Sequence, residues 1–359
     1  MSEYDPNDSG SREPQNSRSH IEDVVSLRSL KEDDCFTNRG RLNCPPWARG
    51  VYGGQIMAQA LLAGYETVTA EFMVHSIHCH FLKAAQPQTS VVYRVERVRD
   101  TRSFATRMIR ATQEDELVFY ATASFAKNHT SQKSKSLLQH SVSFPRGGKL
   151  PSRPLVQSAA GQACPDQPCD CVRSTSRTNS SASPSNKRFC HWVKARGRIV
   201  SSPLRSAKSE HDNHHAHAAA LLYMSDNYFL ATAFRAHDAS RFSNPTSDYS
   251  DSSTIGHRSK GTEGAIDALA LEELEDNQGA PKDGGQVTMA ASMDHTVYFH
   301  NLHQLRADNW MLVEMESPWA DDERGLVISR IWSHDGTLLA TCFQEGLVRL
   351  AQPSRSSRL

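Results

Sequence analysis

Two stretches of this chain share the alternation of polar and apolar side chains that is typical of a half-buried strand. One covers residues 292–300, with the sequence SMDHTVYFH, and the shorter one covers residues 75–80, with the sequence HSIHCH. An offset of 220 residues, the difference between His295 and His75, superposes the two stretches. We therefore predict that the chain contains two copies of one module, each with one of these stretches as its first strand.

In the first copy, a helical pattern precedes the strands. Small and apolar residues recur at helical spacing from Ile56 to Gly64, after the turn-forming pair Gly53-Gly54. No GxGxxG motif or Walker lysine accompanies these glycines, so we predict a close approach of the backbone to a strand rather than a nucleotide site. Four strand-like segments with short polar connections follow, which favours antiparallel pairing: residues 74–82, 91–98, 104–112 and 117–125.

The second copy shows the same order of elements. A segment rich in Ala and Leu, with high helix propensity, covers residues 212–234. Strand-like segments follow the stretch 292–300 at residues 310–316, 326–332 and 338–343. Each copy is therefore predicted to be one helix followed by four antiparallel strands. This pattern indicates an α+β fold in which a curved antiparallel sheet wraps a helix in each module.

Segments of different composition separate and interrupt the two copies. Residues 129–190 are rich in Ser, Lys, Pro and Cys and show no sustained periodicity, which is typical of a linker. Residues 237–287 are rich in Ser, Asp and Gly, which indicates a polar insertion. The predicted organisation is a disordered tail (1–20), an N-terminal module (21–128), the linker (129–190), a C-terminal module (191–350) with the insertion (237–287), and a second tail (351–359).

Two clusters of potential metal ligands occur, and we expect neither to bind a metal. The cysteines lack the two separated pairs that a structural zinc site uses, and the histidines lie at the polar start of a helix without an acidic third ligand. The clusters are Cys164, Cys169 and Cys171 in the predicted linker, and His211, His214, His215 and His217 near the second helix. The sequence predicts no cofactor and no metal site.

The charge balance argues against several classes of partner. The chain has 40 Lys and Arg residues and 40 Asp and Glu residues, so its formal net charge is zero. No bulk electrostatic attraction to nucleic acid or to an anionic membrane is therefore expected. No apolar run reaches the roughly 18 to 20 residues that a membrane-spanning helix needs, so we predict no membrane span.

The last three residues of the sequence are Ser357, Arg358 and Leu359. A C-terminal Ser-Lys-Leu is the tripeptide that the peroxisomal import receptor reads, and Arg keeps the positive charge of its central residue. We therefore expect a location in the peroxisomal matrix, with the import receptor as a partner. If the tripeptide occurs by chance, the alternative is a cytoplasmic location.

Motifs in both copies resemble those of one known family. They are RGVYGGQ at residues 49–55, FYATASF at 119–125, Ser225-Asp226, SMDH at 292–295 and QEGLVR at 344–349. In this order they resemble the type II acyl-CoA thioesterases, a double-hotdog family with bacterial and peroxisomal members. The resemblance covers most of residues 47–127, 192–235 and 288–350. It implies a double-hotdog fold with one continuous curved sheet, and hydrolysis of fatty acyl-CoA to free fatty acid and CoA in fatty acid metabolism.

The resemblance also implies which residues act. In this family an Asp, a Ser or Thr, and a Gln hold the attacking water, and the matching positions here are Asp226, Ser292 and Gln344. A carboxylate can accept a proton from water, while a hydroxyl and an amide fix its position. Backbone N–H groups near a helix would stabilise the oxyanion. The implied partners are the acyl-CoA substrate and, in a homo-oligomer, further copies of the chain.

Two other functions are open at this point. The atypical residues 129–190 leave room for a non-catalytic acyl-CoA-binding or interaction protein of the same fold. Hotdog enoyl-CoA hydratases also use an Asp and a His, and Asp294 and His300 are six residues apart, so they face the same side of a strand. That assignment leaves Gln344 without a role. We expect Asp294 and His295 to be structural.

Overall fold

The structure, a computed structural model of the chain, describes residues 19–45, 48–127, 138–145, 168–174, 182–200, 213–239 and 285–351. Some residues discussed above lie outside these ranges: Cys164, His211, Ser357, Arg358 and Leu359. Most of the predicted tails, linker and insertion lies outside them as well.

The elements occur in the order that the two-copy prediction requires. The first half contains α1 (His20–Val24), β1 (Leu27–Ser29), β2 (Cys35–Asn38), α2 (Gly53–Tyr65), β3 (Phe72–Phe81), β4 (Val92–Asp100), β5 (Phe104–Gln113) and β6 (Glu116–Lys127). The second half contains β7 (Cys169–Arg173), β8 (Phe189–Ala195), α3 (His214–Ser225), α4 (Ala231–Arg235), β9 (Val287–Ser292), β10 (Asp294–Phe299), β11 (Met311–Asp321), β12 (Arg324–Ser333) and β13 (Leu338–Leu350).

These strands form one antiparallel sheet. Its order is β1-β2-β4-β5-β6-β3-β10-β13-β12-β11-β8-β7, and β9 pairs with β13 beyond the end of β10. The two halves meet at the centre, where β3 pairs with β10 in the register His80↔Asp294 to Ser76↔Tyr298. The predicted α+β class and the continuous sheet are therefore confirmed.

Helices α2 and α3 lie side by side and run in opposite directions. The start of α2 contacts the end of α3, where a Cβ added to Gly54 would lie 2.4 Å from the carbonyl oxygen of Tyr223. The end of α2 contacts the start of α3, where the rings of Tyr65 and His214 are 5.7 Å apart. A glycine at position 54 is therefore required for the helices to approach this closely.

The core lies between these two helices and the sheet. Residues such as Ala60 and Leu61 of α2 and Ala219 and Leu222 of α3 are fully buried. The small residues let helix and sheet approach each other, and each fully buried leucine contributes roughly 1.5–3 kcal/mol of transfer free energy. The helices are therefore held by apolar packing from both halves of the chain.

Two predicted segments differ from the structure. Within the predicted linker 129–190, Cys169–Arg173 form strand β7, which pairs with β8 in the register Cys169↔Ala195. A strand of five residues is too short to give a clear periodic signal. The predicted helix 212–234 is divided into α3 and α4, and Tyr228 between them has a φ of 59°, which interrupts the right-handed helix.

The two predicted first strands also differ from each other in detail. His295 is fully buried, whereas His75, its counterpart at the offset of 220, is exposed and packs edge-on against the Phe104 ring. A register shift between Val74 and Ser76 lies at this point in β3. Because such a shift exchanges the two faces of a strand, the inward position falls to Val74 instead of His75.

Candidate active site

The three residues predicted to hold water come together at the end of α3. Asp226 is the C-cap residue of α3, Ser292 is the last residue of β9, and Gln344 lies in the middle of β13. The side-chain nitrogen Nε2 of Gln344 donates to Oδ1 of Asp226 and to Oγ of Ser292, each at 3.0 Å. The structure therefore places these side chains in one hydrogen-bonded group.

The first half of the chain completes this group. The backbone N–H of Gly54, at the start of α2, donates to Oδ2 of Asp226 at 3.0 Å. The positive end of the helix dipole also favours a carboxylate there. A Cβ on the neighbouring Gly53 would lie 2.9 Å from the same oxygen and 3.0 Å from the Phe81 ring in β3. The glycine pair thus admits both a carboxylate and a strand side chain.

A β-bulge at Met293 sets the direction in which the side chains of Ser292 and His295 point. Along β13, Gly346 pairs with Ser292 and Phe343 pairs with Thr296. Three steps on β13 therefore correspond to four steps from Ser292 to Thr296, so one extra residue is inserted. The predicted single strand 292–300 is for this reason divided into β9 and β10. Bulges of this kind often re-aim side chains beside functional sites.

His295 belongs to this group, although its place in the sequence predicts a structural role. Its Nδ1 lies 3.2 Å from Nε2 of Gln344, and its Nε2 lies 3.1 Å from Oγ of Ser225. Regular strand alternation would put Ser292 and His295 on opposite faces. The bulge turns both inward, which strand periodicity alone does not reveal.

Asp294 and His300 do not join the site. Oδ1 of Asp294 accepts the backbone N–H of Glu345 at 2.7 Å, and so it links two strands. His300 is exposed, and its Nε2 lies 2.9 Å from Oγ1 of Thr341. The pair therefore lacks the shared buried pocket that a hydratase acid and base would need.

Burial changes the acid–base properties of the group. Desolvation raises the pKa of Asp226 to about 6, and the hydrogen bonds from Gln344 and Gly54 oppose this rise. Desolvation lowers the pKa of His295 to about 3, so the imidazole is neutral near pH 7. The Asp226 side chain is 10% exposed, while Gln344 and His295 are fully buried. At neutral pH, the Asp226 carboxyl group is therefore mostly ionised, and the His295 ring is neutral.

Within the part of the chain that the structure describes, one acceptor in the group has no hydrogen-bond donor. Oε1 of Gln344 is buried and has no hydrogen-bond partner among the described residues. A buried amide oxygen without a partner carries a desolvation cost, which a bound water or substrate group can relieve. In the part of the chain that the structure describes, no group of three or more His, Cys, Asp or Glu side chains is arranged to hold a metal ion.

Comparison with known proteins identifies the family of the chain. The family model of the acyl-CoA thioesterase N-terminal domain matches residues 43–126, and that of the C-terminal domain matches residues 152–348. The chain belongs to the acyl-CoA thioesterase family. It is a thioester hydrolase. The match to the C-terminal domain begins within the predicted linker 129–190.

Relatives of this thioesterase match over nearly the whole chain. The mouse protein named acyl-coenzyme A thioesterase 8 is 31% identical, over 94% of this chain and 92% of its own. The protein from Saccharomyces cerevisiae named peroxisomal acyl-coenzyme A thioester hydrolase 1 is 22% identical, over 92% of this chain and 94% of its own.

Solved structures show the same fold as this thioesterase. The acyl-CoA thioesterase II TesB2 from Mycobacterium marinum is similar with a TM-score of 0.61, at 23% identity, over 93% of this chain and 99% of that one. A protein with a hot dog fold from Alicyclobacillus acidocaldarius is similar with a TM-score of 0.55, at 16% identity, over 92% and 98%. The predicted double-hotdog fold is confirmed. None of the described helices is both long and apolar enough to cross a membrane.

Proposed function

We propose that Asp226, Ser292 and Gln344 hold the water that attacks the thioester carbonyl of a fatty acyl-CoA. The observation that carries this proposal is the amide of Gln344, which donates to both Asp226 and Ser292 at 3.0 Å. One side chain thereby fixes the distance between a carboxylate and a hydroxyl. A water placed among them meets a base and a second orienting group at once.

The proposed reaction needs no covalent enzyme intermediate. As the water oxygen bonds to the acyl carbon, its proton moves to a carboxylate oxygen of Asp226. The carbon–sulfur bond then breaks, and the proton passes to the departing thiolate, which gives a free fatty acid and CoA. Because Ser292 accepts from Gln344, its own hydroxyl proton is available to the water. Oε1 of Gln344 can accept a hydrogen bond from the second O–H of the water.

Charge that develops on the carbonyl oxygen also needs a partner. In the first turn of α2, the N–H of Gly54 donates to Asp226, and those of Gln55 and Ile56 donate to the carbonyl oxygen of Tyr52. We therefore assign the oxyanion to the N–H of Gly53, the first residue of α2, where the helix dipole adds to its effect. The first half of the chain would thus stabilise the oxyanion while the second half holds the water.

The test is release of free thiol from acyl-CoA substrates of several chain lengths, measured with a thiol reagent. The wild-type chain and a His300→Leu control should release thiol at equal rates, since His300 lies outside the site. Asp226→Asn and Gln344→Ala should lower kcat by at least about 100-fold. Wild-type turnover in either variant would refute this site assignment.

We also propose that the protein acts on fatty acyl-CoA in the peroxisomal matrix, as part of fatty acid metabolism. Two observations support this location: the C-terminal Ser357-Arg358-Leu359 and the similarity to a yeast protein that is named peroxisomal. The test is microscopy of the chain with a fluorescent protein at its N-terminus, with and without residues 357–359. Equal, diffuse cytoplasmic signal from both would favour the cytoplasmic alternative.

A further inference from the structure

Behind the three proposed water-binding residues, a chain of hydrogen bonds leads back into helix α3. It runs from Gln344 through His295 and Ser225 to the carbonyl oxygen of Leu222. His295 is fully buried, and the Phe229 ring packs against it with ring centroids 5.2 Å apart. The imidazole therefore has one orientation, and both of its nitrogens have partners.

The direction of each hydrogen bond in this chain follows from counting protons. The Ser225 hydroxyl has one proton, which it donates to the Leu222 carbonyl oxygen at 2.9 Å. Towards His295, 3.1 Å away, Oγ of Ser225 can then only accept, so Nε2 of His295 carries a proton. Nδ1 accepts from the amide of Gln344 at 3.2 Å and carries none.

We propose that His295 is a positioning residue, which acts as a neutral Nε2–H imidazole that fixes the side-chain amide of Gln344 in its working orientation. The two N–H bonds of that amide serve three acceptors, in Asp226, Ser292 and His295. Rotating the amide by 180° would turn Oε1 towards the Asp226 carboxylate and the unprotonated Nδ1, which repel it. The Oε1 atom, which has no partner among the described residues, therefore stays turned away from the carboxylate and is available to accept a hydrogen bond from the proposed water.

Neutrality of the ring is part of this role. A protonated Nδ1 would become a donor and would compete with Gln344 for Oδ1 of Asp226, which lies 3.8 Å away. Full burial keeps the ring uncharged, in agreement with the lowered pKa of His295. Cys79, the cross-strand partner of His295, is a buried thiol whose pKa is raised well above its usual value, so it stays neutral and adds no negative charge that would favour protonation of the ring.

This inference rests on the proposed function, because His295 would affect catalysis only through Gln344, which is proposed to hold the water. Substitutions of His295 can distinguish the roles of its two ring nitrogens. The side-chain oxygen of Asn lies near the position of Nδ1, whereas the longer side chain of Gln places its polar end near the position of Nε2. His295→Asn thus keeps an acceptor for Gln344, while His295→Gln and His295→Leu remove it.

The expected result is a change in kcat with little change in KM, since the role concerns water and not the substrate. His295→Leu and His295→Gln should lower kcat by about 10- to 100-fold, because misplacement of a reacting group by 1 Å can cost about 100-fold. His295→Asn should recover most of this loss. The matched control is His300→Leu, a histidine substitution outside the site, which should leave kcat unchanged. Thermal unfolding of each variant shows whether it is folded at the assay temperature.

A spectroscopic measurement tests the tautomer without reference to activity. In histidine-labelled protein, two-bond ¹H–¹⁵N NMR correlations should show an unprotonated Nδ1 and a protonated Nε2 for His295 from pH 5 to 8. Ser225→Ala should weaken this preference. A protonated Nδ1, or turnover in His295→Gln equal to that in His295→Asn, would overturn the positioning role while loss of activity in Gln344→Ala still supported the proposed function. Wild-type turnover in Gln344→Ala would overturn both.

Discussion

The two ends of the α2–α3 helix pair have the same backbone arrangement, but their side chains differ in chemical character. We call the end of α3 with Asp226 the polar end, and the end of α2 with Glu66 the aromatic end. Asp226 and Glu66 are each the C-cap residue of their helix. The residue before the cap is Ser225 at the polar end and Tyr65 at the aromatic end. A small hydroxyl at one end is thus replaced by a large ring at the other.

Strand register identifies the counterpart of Gln344. Ser76 pairs with Ser124 in the first half, and the equivalent Thr296 pairs with Phe343 in the second. The next residue along the strand is therefore Phe125 in one half and Gln344 in the other. Both are fully buried and face the helices. Phe125 packs edge-on against the ring of Tyr65, with centroids 5.0 Å apart.

The difference shows that the duplicated scaffold does not by itself produce a site. At the aromatic end, Oη of Tyr65 accepts the backbone N–H of Val74 at 3.0 Å, and the rings of His214 and His215 fill the space beside it. Apolar and aromatic packing there contributes to stability. At the polar end, the same space holds a carboxylate with a raised pKa. The desolvation of a carboxylate is unfavourable, and groups with strongly shifted pKa values are common at functional sites.

The largest effect is expected from Asp226, the cap residue of the polar end. Asp226→Asn removes the proposed base and should lower kcat about 100- to 10,000-fold. Glu66→Gln makes the same chemical change at the aromatic end and should leave kcat unchanged. Steady-state thiol release from acyl-CoA measures both. A comparable loss in Glu66→Gln would show that the aromatic end also takes part in catalysis.

Exchanging Gln344 and Phe125 is expected to affect activity at the polar end and stability at the aromatic end. Gln344→Phe gives the polar end the residue of the aromatic end and should lower kcat about 100-fold, because the water loses its positioning group. Phe125→Gln should not raise turnover. It should lower the free energy of unfolding on the order of 3 kcal/mol, through lost aromatic burial and an unpartnered amide. Urea unfolding measures the second effect, and a gain in turnover would contradict the comparison.

The glycines near the two ends offer a finer test. Gly54→Ala would bring a Cβ within 2.4 Å of the Tyr223 carbonyl oxygen, so α2 must shift and the N–H that holds Asp226 moves with it. We expect kcat to fall on the order of tenfold. At Gly64, an added Cβ would lie 3.3 Å from the Phe125 ring. Gly64→Ala should therefore leave kcat unchanged and alter stability by less than about 1 kcal/mol, since helix propensity offsets the tight contact.

The smallest expected effect is on the pH profile. Because the pKa of Asp226 is about 6, only about one quarter of the sites are ionised at pH 5.5, and kcat should fall about fourfold from its plateau. Glu66→Gln should show the same profile. A profile that stays flat down to pH 4.5 would show that Asp226 is not the base.

The same shift affects stability, with a defined sign. The pKa of Asp226 is raised in the folded chain from a usual value of 3.8, so the folded state binds this proton more tightly. Protonation therefore adds stability as the pH falls from about 6 towards 3.8, and that stability is lost as the pH rises again. Chemical unfolding measures the free energy of unfolding at pH 7 and at pH 5. Between pH 7 and pH 5, this free energy should change more favourably in the wild type than in Asp226→Asn. The reverse sign would contradict the raised pKa.

The sequence predicts the elements well and their junctions less well. The strand predicted at 104–112 is observed as Phe104–Gln113, because regular alternation over ten residues is a strong signal. Strand β7, with five residues, lies in a segment whose composition is typical of a linker. The interruption of the helix near Tyr228 depends on a positive φ at a residue type that gives no local signal for it.

In the site, motif resemblance finds the side chains but not their supports. Asp226, Ser292 and Gln344 follow from the motifs, and the structure brings them together. Gly54 contributes a backbone N–H, which no side-chain pattern encodes. His295 points inward only because of the bulge at Met293, and a bulge depends on pairing between distant strands. Such features need tertiary structure before they can be recognised.

The hydrogen bond from Gly54 to Asp226 joins residues 172 positions apart, one in each half of the chain. If the modules were separate molecules, this contact would form only when they associate, and dilution would cause them to dissociate. A continuous polypeptide makes the encounter unimolecular, with an effective concentration set by the connecting chain. The meeting of the two halves is therefore independent of how much protein is present.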